Sequence, residues 1–209
     1  MNVFNEQPSS LTLSTPEGST TGTTVAILLE ELRLPYHIHF LPQPTTTTPY
    51  TFLDRLLLTD VHRNGHTTVL NDFSSITSYL LTQYDEHHRF SYPDGSPESL
   101  AVGDRVRQLL GRMEAKDSED GKPCTPMVRM MLSLYLHMEE YLQKTKQRFL
   151  VGDKCTLADL VHFPFVAAAG VHGLDLERFP ELTSWYDRLA RQGAVRKGME
   201  AIGFRVEDK

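Results

Sequence analysis

From Leu157 to Val171 the chain reads LADLVHFPFVAAAGV, a helix apolar on every side and not along one stripe. Such a helix either spans a bilayer or fills the centre of a protein core. This run falls short of the ~18 apolar residues a span requires, and it carries Asp159, His162 and Pro164. It therefore belongs in a core, wrapped by other helices. Its start is marked as well. Thr156 can cap the helix through its side-chain oxygen, and Asp159, three residues on, can reach back to the Thr156 amide. That is a capping box with an acid at the third helical position.

The neighbouring sequence supplies the wrapping. In FPELTSWYDRL, Pro180 opens a helix whose inner face is Leu182, Trp185, Tyr186 and Leu189. Val102, Val106, Leu109, Leu110 and Met113 mark a second helix. Met127, Met130, Met131, Leu134, Met138 and Leu142 mark a longer one, whose methionines at helical spacing read as core. Only helical periods occur beyond residue 97.

The first half has a different rhythm. Leu11 and Leu13 alternate with Thr12 and Ser14 as in a half-buried strand. A hydroxyl-rich loop, STPEGSTTGTT, precedes a helix with Val25, Leu28, Leu29 and Leu32 on one face, ended by Pro35. Tyr36, Ile38 and Phe40 form the next strand, completing a βαβ unit. An irregular crossover, PQPTTTTPYTF, leads to RLLLTD, a buried strand. Asn64-Gly65 predicts a hairpin turn with positive φ at both residues, and Thr67 to Leu70 the returning strand. Ile76, Tyr79, Leu80 and Tyr84 are spaced for a closing helix. The fold class is thus α/β thioredoxin-like followed by all-α. Domains are expected at 11–86 and 97–209, with DEHHRFSYPDGSPES as linker.

Composition narrows the partners. A net charge of −6, from 21 basic and 27 acidic residues, gives no footprint for nucleic acid or an anionic membrane surface. The start MNVFNEQPSSLTLS lacks the basic and apolar regions of a signal peptide, so a cytoplasmic location is expected. Cys124 and Cys155 are then read as reduced thiols. The pairs His37/His39 and His62/His66 lack a third ligand at a recognisable spacing, so no metal is expected. They are read as surface residues, and His162 and His172 as hydrogen-bonded core.

FLVGDKCTLADL with FPELTSWYDRL resembles the helical domain of glutathione transferases. VAILLEELRLPYHIHF and LLLTDVHRNGHTTVLNDFSSITSYL resemble the thioredoxin-like half of the same family. The resemblance runs from Leu11 to about Met199. It is nearest the fungal branch of the prion-forming nitrogen regulator, close to accessory transferases of secondary-metabolite clusters such as those for gliotoxin and pseurotin.

That resemblance implies glutathione at the carboxyl edge of the sheet, where two helix starts converge. Helix N-termini suit it, because their free amides and partial positive charge lower a thiol's pKa and hold a carboxylate. Ser19 lies where serine-type transferases carry the thiol-activating hydroxyl, and Thr21 where the regulator branch has asparagine. Ser19, Thr20 and Thr21 can each donate to a thiolate, or they can simply cap the helix and bond the loop backbone. The family's aliphatic–cis-proline pair falls on Arg55-Leu56, where a cis bond would cost ~2.5–4 kcal/mol, so Leu56 should be trans. The family's Glu-Ser falls on Asp72-Phe73. Asp72 keeps an acid for the γ-glutamyl amine, and Ser74 stands in for the lost hydroxyl. Arg55 is a candidate partner for a glutathione carboxylate, or an exposed arginine on an edge.

The implied activity is attack of the glutathione thiolate on a small hydrophobic electrophile, in a homodimer. One alternative is a glutathione-dependent trans-to-cis isomerase working by reversible thiol addition. The other is a non-catalytic dimeric interaction or regulatory module, favoured by Leu56, Phe73 and the absence of the family's Asn-Pro-x-Gly lead into the third strand.

Overall fold

The computed structural model describes residues 10–42, 55–114, 125–169 and 173–204. Strand β1 (Ser10–Pro16), helix α1 (Thr20–Glu31) and strand β2 (Tyr36–Leu41) form the βαβ unit, with β1 and β2 parallel from Leu11↔Tyr36 to Pro16↔Leu41. Strand β3 (Leu57–Val61) runs antiparallel to β1, and β4 (Thr67–Leu70) antiparallel to β3. The sheet order is β2-β1-β3-β4, with helix α2 (Phe73–Tyr84) following β4. This is the expected thioredoxin-like order. The segment PQPTTTTPYTF lies largely outside the described residues.

Two local expectations are corrected. The loop after β1 is shorter than the sequence suggested, because the strand continues to Pro16 and the helix begins at Thr20. Hydroxyls that looked like loop residues act within the helix. Thr23 Oγ1 donates to the Ser19 carbonyl (2.6 Å) and Thr24 Oγ1 to that of Thr20 (3.1 Å). The β3–β4 hairpin forms, but only Gly65 takes a positive φ, 82°, and Asn64 does not. The Gly65 amide donates to His62 O and the His62 amide to His66 O, so the turn spans five residues. Asn64 contributes its side chain instead, accepting from the His66 amide at 2.9 Å.

Helices α3 (Pro97–Glu114), α4 (Thr125–Thr145), α5 (Leu157–Ala169), α6 (Pro180–Ala190) and α7 (Gly193–Ala201) make the second half. Helix α5 is its centre, with Ala158, Leu160, Val161, Phe163 and Val166 fully buried. Met131, Leu134, Met138 and Leu142 of α4 are core, as their spacing predicted; Met127's side chain and residues His172 and Cys124 lie outside what is described.

The start of α5 is a hydrogen-bonded hub. Asp159 Oδ2 accepts from the Thr156 amide (2.9 Å) and hydroxyl (3.1 Å), while Oδ1 accepts from the Leu150 amide (2.8 Å) and Trp185 Nε1 (2.9 Å). The backward half of the box is as predicted, but the threonine hydroxyl donates to Asp159 in place of capping. Burial pushes the Asp159 carboxyl above its ordinary range, against the pull of these hydrogen bonds. Glu139 of α4 caps α6 from outside, accepting from the Leu182 amide at 2.8 Å.

Helix α1 joins the halves. It is buried from Thr21 to Leu29 because the sheet covers one side and α5 and α7 the other. Pro164 has no amide to give Leu160 O, and Thr24 Oγ1 of α1 donates to that carbonyl at 3.4 Å. At Gly198 of α7 a Cβ would stand 2.6 Å from the Ile27 amide nitrogen, so glycine is required for this approach.

Candidate functional site

The strand registers bring the sequence-predicted residues to one edge. Pro16 pairs with Leu41, Ser14 with Leu57 and Leu58 with Leu70. The carboxyl ends of β1, β2 and β4 therefore lie beside the amino end of β3. Ser19 follows β1, Arg55 and Leu56 precede β3, and Asp72, Phe73 and Ser74 follow β4.

Ser19 caps α1. Its Oγ accepts from the Gly22 amide at 2.9 Å and lies 3.2 Å from Thr21 Oγ1. Both residues are buried, at 3% and 1% exposure, while Thr20 is half-buried. A serine oxygen that accepts from Gly22 and from Thr21 keeps its own proton for an outside acceptor. The capping role is therefore compatible with donation to a thiolate, provided Thr21 is the donor within the pair.

Asp72 caps α2, its Oδ1 accepting from the Ser75 amide at 2.8 Å. Hydrogen bonding to Ser75 holds its carboxyl below the ordinary range, and the group is exposed. Phe73 turns inward at 6% exposure, so the position that loses a hydroxyl gains a core anchor. Ser74 lines a groove of about 800 Å³ between α2 and α3, with Thr77, Leu81, Val102, Val106 and Leu110. Leu56 is buried, and no peptide bond among the described residues is cis. Arg55 is exposed, with Nη2 donating to Pro42 O at 3.3 Å.

Two features escaped sequence reasoning. The Gly18 amide donates to Ile202 O at 2.8 Å, and Gly203 abuts Glu17, so the turn after α7 lies on the loop that carries Ser19. Neither Ile202 nor Gly203 has a local pattern announcing this. The second feature is a polar cluster about Asp60. His62, expected at the surface, is half-buried there, with Nε2 3.2 Å from Thr68 Oγ1 and 3.2 Å from the Tyr79 hydroxyl. No helix among the described residues is long and apolar enough to cross a membrane.

Residues 103–192 match the family described as glutathione S-transferase, C-terminal domain. The match lies within the helical half, and the whole chain has the glutathione-transferase fold. Among curated proteins, the chain is similar to glutathione S-transferase-like protein tpcF of Aspergillus fumigatus, 27% identical over 89% of this chain and 93% of that protein. It is also similar to glutathione S-transferase A of Pleuronectes platessa, 43% identical over 61% of this chain and 62% of that protein. Among solved structures, a glutathione transferase homolog from Lodderomyces elongisporus with two GSH per subunit superposes with a TM-score of 0.71. It is 24% identical, covering 93% of this chain and 98% of its own.

Proposed function

We propose that the chain binds glutathione at this sheet edge and directs its thiolate onto a hydrophobic electrophile. The observation that carries the reading is the convergence of two side-chain-capped helix starts, Ser19 on α1 and Asp72 on α2, at one edge of a glutathione-transferase fold. Asp72 faces solvent as a carboxylate and takes the γ-glutamyl ammonium, with Ser74 beside it. Ser19 gives its O–H to the sulfur, and the amide dipoles of the first turn of α1 add to the stabilisation of the thiolate. Arg55 is the cation available for a carboxylate of the tripeptide. Leu56, trans and buried, supplies an apolar floor and no cis-proline geometry.

The reaction needs little further from the protein. The sulfur forms a bond to an electrophilic carbon, and the electron pair displaced from that carbon leaves or is protonated. The enzyme raises the thiolate fraction and holds the acceptor alongside. The similarity to fungal transferase-like proteins supports a place in secondary metabolism. If the acceptor is a polyene conjugated to a carbonyl, addition, rotation about the new single bond and expulsion of the thiolate isomerise trans to cis and return glutathione. Stoichiometry separates the two outcomes. A transferase consumes one glutathione per product, whereas an isomerase turns over many substrates at catalytic glutathione with unchanged product mass.

The interaction-module reading is favoured by one observation, the burial of the Ser19 and Thr21 hydroxyls against each other. Calorimetry decides it: heat of binding at millimolar glutathione supports the enzyme, and silence supports the module. The groove between α2 and α3 is the face we assign to a second copy in a homodimer.

A further inference from the structure

Asp60 sits on the core face of β3, beside Leu58 on its own strand and opposite Leu11 on β1, at 1% exposure. Tyr79 and Tyr84 of α2 both donate their hydroxyls to the same oxygen, Oδ2, the former at 2.8 Å. Oδ1 is buried and has no hydrogen-bond partner. Among the described residues it is the one buried side-chain polar atom so placed. A buried carboxylate with an idle oxygen is costly, and an apolar side chain of similar size would be the cheaper occupant. The leucines around it show what the position would hold if packing alone governed it.

What the carboxylate adds is direction. Helix α2 is otherwise held to the core by Phe73, Ile76, Leu80 and the half-buried Leu81, apolar contacts that resist separation more than sliding or rotation. Two phenols five residues apart, closing edge-to-face on one oxygen, fix both the height and the rotation of the helix. The hairpin reinforces the arrangement, since His62 Nε2 lies within 3.2 Å of the Tyr79 hydroxyl and of Thr68 Oγ1. Desolvation and the neighbouring carboxylate raise the pKa of both phenols, so they remain donors across the working range. At 1.5 Å per residue, Tyr79 stands only ~10 Å along the axis from Asp72, and a helix transmits displacement over that length almost rigidly.

We propose that Asp60 is a positioning residue which, through Tyr79 and Tyr84, sets the start of α2 so that Asp72 and Ser74 meet the ammonium end of the peptide substrate. The inference rests on the glutathione reading above.

The test compares Asp60→Leu, the double variant Tyr79→Phe/Tyr84→Phe, and Asp60→Asn, whose amide oxygen can still accept from both phenols. Three quantities are read: glutathione affinity by calorimetry, the thermal midpoint, and the pKa of the bound thiol. In Asp60→Leu and the double variant, affinity should fall roughly twofold to tenfold, since the contacts of both Asp72 and Ser74 are misplaced together. The midpoint of Asp60→Leu should hold or rise, and the thiol pKa, set at α1, should stay. Asp60→Asn should keep most of the affinity. Affinity within twofold of wild type in the folded variants overturns the inference, as does loss of affinity only in step with the thermal midpoint. If the wild type itself binds no glutathione, the reading of the site is at fault. The amide resonances of Ser74 and Ser75 then carry the test: movement in Asp60→Leu supports positioning, and unmoved resonances overturn it.

Discussion

The indole nitrogen of Trp185 on α6 donates to the carboxylate of Asp159 on α5 at 2.9 Å, both groups fully enclosed. The same carboxylate serves the Leu150 and Thr156 amides, so one side chain ties together the loop before α5, its first turn and α6. With the Thr156 hydroxyl, removing it strands four buried donors. Asp159→Ala should therefore cost more than the ~0.5–2 kcal/mol of a lost cap, and we expect about 3–5 kcal/mol. Urea unfolding measures it. An unchanged midpoint would mean the hub contributes nothing.

Ser19→Ala should act twice. Loss of the cap on α1 should lower stability by ~1 kcal/mol. Loss of the donor should raise the bound thiol's pKa by about one to two, from ~1.5–3 kcal/mol for a charged hydrogen bond at ~1.4 kcal/mol per pKa unit. Thr21→Ala should move the pKa less, because Thr21 bonds Ser19 and reaches the sulfur only through it. Equal stability loss with no pKa change would assign Ser19 to capping alone.

Asp72→Asn keeps a good cap and removes only the charge. Because Asp72 is exposed, the ammonium contact is screened, and the expected loss is ~0.5–1.5 kcal/mol, a twofold to tenfold rise in Kd. Its carboxyl is held below the ordinary range, so the charge is present above that range and lost only as pH falls through the depressed folded value. Glutathione affinity should thus persist through pH ~4. In Asp72→Asn the acid-side decline should disappear, and a wild-type decline that survives the substitution would place the ammonium elsewhere.

The groove between α2 and α3 should be covered by a second copy. Sedimentation at micromolar concentration is expected to give twice the 23.8 kDa chain mass. Replacing Val106, on the α3 side of the groove, by Glu should shift the equilibrium toward monomer. A wild-type monomer at that concentration contradicts the assignment.

Much of the fold was readable because its signals are local. The all-apolar α5 with Thr156 and Asp159, the alternation of β1, and the spacing of Ile76, Leu80 and Tyr84 each announce an element within a dozen residues. The registers then followed, and they carried Ser19, Leu56 and Asp72 to one edge. What stayed hidden depends on distant pairs. Asp159 looked like a simple box because Leu150 and Trp185 arrive from outside it. Asp60 drew no separate notice within RLLLTD because Tyr79 and Tyr84 come from α2. Asn64-Gly65 announced its turn but not the turn type, which the five-residue loop set by leaving only Gly65 at positive φ.

Catalysis at this edge requires that a glutathione thiolate form at the start of α1. Ultraviolet titration of glutathione bound to the protein measures this directly, against a free thiol pKa of ~8.5. The prediction is a stoichiometric complex whose thiolate appears below that value by one pH unit or more, roughly the strength of one charged hydrogen bond plus the helix dipole. A bound glutathione that titrates like the free peptide, or no complex at millimolar concentration, would contradict it.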